Sequence, residues 1–221
     1  MSEWWTYSLS DFLMFSARTY YRQFELMNRE LWPLPLVLLA AGGVLVACLL
    51  RRSGGARRIG YLLLGTACLW VGWAYHAQRY ADINTGAPYF AAAFGLQGVL
   101  LLGMAAWGAG QASRDADVWD ARLGLGAVIL AWFAFPLLAP LAGRGWWQAE
   151  VAGLAPDPTA LATLGALLFW RAPWLLWVVP VLWCLASSAT LNELRAPLAW
   201  LPAGGAVVLV VASAANRVRR S

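Results

Sequence analysis

PLPLVLLAAGGVLVACLLRRSGGARR, residues 33–58, decides the fold. Residues 33–50 carry no charge, and arginines follow at 51, 52, 57 and 58. An apolar run of this length suits a bilayer core of about 30 Å, which takes roughly 20 helical residues to cross. Arginine excess marks the cytoplasmic side of such a run, so this sequence predicts a membrane span, a cytoplasmic loop at 51–58 and an N terminus outside.

Further apolar runs near 59–77, 88–110, 122–142, 174–192 and 198–216 repeat the pattern, with short polar connectors between most of them. Composition agrees. Of 221 residues, 61% are hydrophobic and 12% charged, about half the charged fraction of soluble domains, so the charged residues are too few to coat a soluble globule. The formal charge of +5 comes from 16 arginines and no lysine against 11 acids. Without lysine, neither a retinal or pyridoxal Schiff base nor a P-loop can form. The basic excess reads as membrane orientation, and nucleic acid is not an expected partner. No secretory signal peptide is expected, so the first span serves as its own membrane signal.

Cys48, Cys68 and Cys184 stand alone in apolar stretches, and His76 is the one histidine. Zinc needs three or four convergent ligands and a haem between helices usually two histidines, so no metal, haem or other cofactor is expected.

Before the first span, Ser8 and Asp11 form a capping-box pattern that predicts a helix to about Leu31, ahead of Pro33. Leu13, Ala17, Tyr20, Phe24, Met27 and Leu31 make an apolar stripe, opposite Asp11, Arg18, Arg22, Glu25 and Arg29. Residues 1–32 therefore read as an amphipathic helix and 33–221 as the bundle. The helix lies in the interface, anchored by Trp4, Trp5 and Trp32, or packs against the bundle top.

Arg217, Arg219 and Arg220 place the C terminus in the cytoplasm, and six crossings cannot connect it to an outside N terminus. A seventh is required. The remaining apolar segment, TALATLGALLFW at 159–170, follows APDP at 155–158. A helix from Asp157 to Trp170 is close to 21 Å long, too short to cross alone. VAGLA, residues 151–155, supplies the rest as non-helical backbone, with Asp157 as N-cap and Pro158 in the first helical position. The fold class is thus all-α, a polytopic bundle of about seven spans, the fifth short or broken.

Unwound backbone within a membrane is tolerated where it is buried in protein or lines a cavity. Asp157, Thr159 and free amides at such a helix start make a candidate polar site, with Glu150 nearby. The alternative is an ordinary capped helix start at the outer interface. A second cluster, HAQRYADINTGAPYF at 76–90, holds His76, Arg79 and Asp82 within helical reach. It reads as a proton relay or anion site, or as an interfacial ion pair between Arg79 and Asp82 that orders a loop. Gln97, mid-span, reads as a bond between helices, and Tyr61, Thr66, Ser187 and Ser188 belong with it. Gly95, Gly98, Gly103, Gly124 and Gly126 offer small surfaces for close approach. DADVWDAR, 115–122, reads as a solvated cytoplasmic loop, and the 111–121 connector as a possible partner surface alongside the N-terminal helix.

WWTYSLSDFLMFSARTYYRQFELMNRELWP, HAQRYADINTGAPYFAAAFGLQ and EVAGLAPDPTALATLG together resemble a family of uncharacterised bacterial polytopic membrane proteins, catalogued as a domain of unknown function. The resemblance covers nearly the whole chain and implies a bacterial cytoplasmic membrane and no established activity, although some relatives carry a loose permease label. Ala17 stands where the family pattern has proline, and Asp157 where a cysteine can occur.

Three functions are then compatible with the residues. The first is a small-solute or ion permease with Asp157, Thr159, Glu150, His76, Arg79 and Gln97 along a path. The second is an accessory or sensory subunit that meets a protein partner. A membrane enzyme using His76 with Asp82 or Glu150 as acid and base lacks a nucleophile, a metal set or a phosphate loop, so no catalytic residue is assigned. A water-filled cavity reaching Asp157 would mark transport, and a dry, packed Pro-Asp-Pro-Thr turn would argue against it.

Overall fold

The computed structural model describes residues 15–108 and 117–218. These are helical, with no strand among them beyond one isolated bridge between Ala152 and Ala155. The predicted cap at Ser8, the tryptophans at 4 and 5, Leu13 and the tail from Arg219 lie outside the described residues, as do positions 109–116.

Helix α1 spans Ala17–Glu30 and is capped by Ser16, whose hydroxyl accepts from the Thr19 amide at 3.2 Å. Phe15 and Ser16 are not helical, so no continuous helix from Ser8 exists. The expected stripe is the buried face: Tyr20, Phe24 and Met27 are joined there by Tyr21 and Asn28. It packs on the bundle, where the Phe24 and Tyr75 rings stack with centroids 5.2 Å apart.

Helix α2 is Leu34–Arg51 and ends where Arg52 turns left-handed at φ 46°. Ser53 then caps α3, Gly54–Trp70, which continues as a π-helical segment, Val71–Ala77. Helix α4 is Ala87–Gly103, extended by Met104–Gly108. Helix α5 begins at Val118–Ile129 and runs on through π and 3-10 turns to Leu141. Helix α6 is Pro156–Phe169; α7 is Val178–Glu193, preceded by the 3-10 turn Trp174–Trp177; and α8 is Leu201–Val218.

Four of these helical runs are long and apolar enough to cross a membrane: 34–51, 87–107, 118–141 and 174–193. The expected count of about seven is not supported by that criterion, because the apolar part of α8 is only Leu201–Ala215 and α6 has 14 residues. The outward faces carry Leu36, Val37 and Val44 of α2, Leu96 and Val99 of α4, Leu130 and Leu137 of α5, and Val207, Val208 and Val211 of α8. Exposed tryptophans gather at helix ends, with Trp32, Trp146 and Trp200 at one end of the bundle and Trp107, Trp119 and Trp174 at the other. Residues 118–122, expected as loop, are the start of α5, with Asp117 as its N-cap residue, and Asp120 is buried.

Helix α6 is the centre of the fold. All 14 of its residues are buried, as are residues 149–155 before it. It crosses α5 where two glycines meet: a Cβ on Gly165 would stand 2.7 Å from the Gly124 carbonyl oxygen, and one on Gly124 would stand 2.5 Å from that of Gly165. Gly98 approaches Gly65 of α3 in the same way, whereas Gly95 and Gly126 face open space. Backbone contact of this kind is what small residues permit in helix bundles.

Candidate functional site

Ala155 has extended backbone, Pro156 is the first helical residue and Asp157 lies inside the first turn. Asp157 therefore does not cap its own helix, as the sequence suggests. Proline's fixed φ suits the first position, and Pro156 takes it in place of Pro158, which moves the start back by two residues and turns Asp157 toward α7. There the Trp183 indole N–H donates to Oδ1 at 2.8 Å and the Ser187 hydroxyl to Oδ2 at 2.9 Å. The Thr159 hydroxyl accepts from the Gly153 amide at 2.8 Å and donates to the Ala155 carbonyl at 2.6 Å, closing the turn rather than facing a ligand. The Pro-Asp-Pro-Thr turn is packed and satisfied.

Glu150 lies on the buried segment leading into this turn, 5% exposed. Arg144 reaches its Oε1 through Nη2 at 3.2 Å, and the guanidinium carbon sits 3.6 Å from the ring centroid of Tyr21 on α1. Tyr21, Arg144, Glu150 and Asp157 line one cavity of about 20 Å³, closed on its apolar side by Leu198 and Leu201 among others. That is room for a single water, which needs two or more polar partners. The buried Arg144 Nε, which has no partner in the protein, is one donor available to it. Burial raises the Glu150 carboxyl above the ordinary carboxylate range and the Asp157 carboxyl adds to this, while Arg144 opposes it. Burial likewise pushes the Tyr21 phenol up to about 12, so Tyr21 meets Arg144 as a neutral ring.

Helix α1 holds this segment from above. Asn28 donates to the carbonyls of Trp147 and Ala149, each at 2.8 Å, and Gln148 donates to Glu25 at 3.1 Å.

The other expected site residues lie elsewhere. His76 is fully buried with neither ring nitrogen partnered, and packs against Trp183 and Phe94 at centroid distances of 4.7 and 4.8 Å. It touches the site only through the ring that holds Asp157. Arg79 pairs with Glu30 of α1 at 2.6 Å and with the Ala74 carbonyl at 2.6 Å, not with Asp82 as expected. Asp82 is exposed on the 3-10 turn Tyr80–Asp82, which breaks the helical register that would have brought it back to Arg79. Gln97 donates to the Leu176 carbonyl at 3.0 Å, joining α4 to the turn before α7. Among the described residues no group of three His, Cys, Asp or Glu could hold a metal ion.

Tyr21, Asn28, Arg144 and Trp183 are the contributors that sequence reasoning missed. Arg144 had a signal, being the single charge between Arg122 and Glu150. Trp183 and Ser187 stand four residues apart on one face of α7, which is a weaker one.

A family described as a family of unknown function, DUF6064, matches residues 17–220. The chain belongs to DUF6064. The N-terminal WWTYSLSDF string precedes the matched residues. Neither the curated proteins nor the solved structures contain a match to the chain. For DUF6064 the name carries no activity.

Proposed function

We propose that this DUF6064 protein is a sensory or accessory subunit of a bacterial cytoplasmic membrane that responds to protonation at Glu150 and Asp157. The four apolar helices, α3 with its π continuation, α8, and α6 with residues 151–155 give seven crossings in this reading, with the N terminus outside and the C terminus cytoplasmic. The lipid bilayer and a protein partner are its surroundings.

The observation that carries this is the size and wiring of the cavity. Two carboxyls share about 20 Å³ with Arg144, enough for a water and too little for a solute. Arg144 also lies on Tyr21, so a change of charge at Glu150 acts directly on α1. Proton uptake weakens the Glu150–Arg144 pair, frees the guanidinium and loosens the helix that Asn28 and Tyr21 hold down. Helix α1 is then the output, and the N-terminal region or the 111–121 connector the place where a partner docks.

A fluorophore on a cysteine in place of exposed Arg22 tests this in nanodiscs, between about pH 5 and about pH 9. The expected result is a pH-dependent signal in wild type that Glu150→Gln abolishes. An identical response in both proteins overturns the reading. The same cavity would admit a proton as the cargo of a permease. Proteoliposomes therefore form the second arm: a proton flux above that of protein-free vesicles, lost in Asp157→Asn, would replace the sensory reading by the permease one.

A further inference from the structure

The lipid-facing wall formed by α7 and α8 carries a groove separate from the carboxylate cavity. Its volume is about 410 Å³, and its walls include Trp174, Trp177, Val178, Val181, Leu182 and Val210. In a bilayer such a surface is not left empty, since atoms lining a void lose their contacts, and its apolar walls do not hold water. Something apolar fills it.

The chemistry along the chain indicates what. Arg171 follows α6 in a left-handed conformation, φ 51°, and its Nη1 has no partner in the protein. Trp174, three residues later, is 65% exposed, as expected of a tryptophan at headgroup depth. Trp177 is 7% exposed, and its indole N–H is buried without an acceptor. Val178, Val181 and Leu182 then continue the groove wall. This order, cation, interfacial ring, unmet N–H donor and apolar wall, matches the order of phosphate, glycerol ester and acyl chain in a phospholipid. A buried N–H lacking a partner is costly, and an ester carbonyl is the acceptor a lipid brings to that depth.

Charge selects the headgroup. Arg52 stands with its guanidinium 5.5 Å from the ring of Phe169, at the C-terminal end of α6, so the 51–58 arginines share one end of the bundle with Arg171. That end attracts anionic headgroups.

We propose that the groove between α7 and α8 binds one anionic phospholipid, with its phosphate at Arg171, its ester at the Trp177 N–H and an acyl chain along Val178, Val181 and Leu182. This rests on the membrane reading above and not on the protonation site.

Native mass spectrometry of the full chain in mild detergent tests it, with phosphatidylglycerol and phosphatidylcholine added in equal amounts. Wild type is expected to retain one phosphatidylglycerol, in excess over phosphatidylcholine by on the order of fivefold, the effect of one well-placed arginine. Leu182→Trp, at a position 60% exposed and so tolerant of change, puts an indole across the acyl-chain path and lowers retention of both lipids. Arg171→Gln keeps a lipid but loses the preference. Absence of a retained lipid in wild type, equal retention of the two, or retention unchanged in Leu182→Trp would each overturn the proposal. A wild-type dimer that Leu182→Trp dissociates would assign the groove to a second copy instead. Resistance of the wild type to alkaline carbonate extraction from membranes is scored separately, so failure of the membrane reading and failure of the lipid site give different results.

Discussion

Trp183 holds Oδ1 of Asp157 with its indole N–H at 2.8 Å, and Ser187, one turn further along α7, holds the other oxygen at 2.9 Å. The pair ties the start of the central helix to its neighbour at a buried position, beside the small cavity shared with Glu150. Asp157→Ala orphans two buried donors, each worth about 1–3 kcal/mol. A fall in Tm on the order of 10 °C is expected for a chain of this size, by thermal unfolding in detergent. Asp157→Asn keeps an acceptor for Trp183, and its amide can donate to Ser187, so its loss should be less than half as large. Equal losses in the two variants would show that the carboxamide cannot take the carboxylate's place.

The crossing of α5 and α6 makes an opposite demand, for the absence of side chains. A methyl on Gly165 would stand 2.7 Å from the Gly124 oxygen, a backbone atom that cannot swing aside. Gly165→Ala is expected to cost about 1–3 kcal/mol by forcing the helices apart, read as a lower Tm and reduced yield of folded protein. Gly126→Ala, two residues from Gly124, meets nothing within 4 Å and should be neutral or gain slightly from helix propensity. If both alanines behave alike, the close crossing is absent.

The contrast between those glycines shows what the sequence can and cannot reveal. Apolar runs, arginine clusters and prolines are local signals, and they disclosed the all-helical class, the short helix at 159–170 and the stripe on α1. The partners of polar groups are not local. Arg79 pairs with Glu30 across 49 residues, and Asp157 meets Trp183 across 26. A two-residue shift in where α6 begins was enough to turn Asp157 from a cap into a bridge. The π segments also carry no pattern that separates them from α-helix, so the rotation of His76 into an aromatic pocket was hidden.

Asn28 is the clamp between α1 and the segment that carries Glu150. Its side-chain amide gives both protons to the Trp147 and Ala149 carbonyls. Asn28→Ala leaves these two acceptors unmet and should lower Tm by several degrees, while faster hydrogen exchange appears at 146–150. Asn28→Asp is expected to be worse, because a carboxylate faces the same two oxygens. If exchange at 146–150 is unchanged in both variants, α1 does not restrain the segment.

Glu150 gives the molecule a pH dependence of definite sign. Burial first, and then Asp157, raise its proton affinity in the folded protein above the unfolded value of 4.5, against the pull of Arg144. The folded state therefore binds more protons than the unfolded one over that interval, and stability is fully present below about pH 4.5 and lost as pH rises through the folded value. Tm in detergent should fall with rising pH over this range, and Glu150→Gln, which cannot ionise, should flatten that fall. Arg144→Gln removes the opposing cation, so the folded proton affinity rises further and the decline extends to higher pH. Glu25 works in the other sense. Its hydrogen bond from Gln148 lowers its pKa, and the stability it contributes is present above its ordinary pKa and lost as pH falls. Glu25→Gln should therefore alter the acid limb alone. A wild-type Tm that is flat or rising across the range, or a Glu150→Gln profile that superimposes on it, would mean that Glu150 is not the group that titrates.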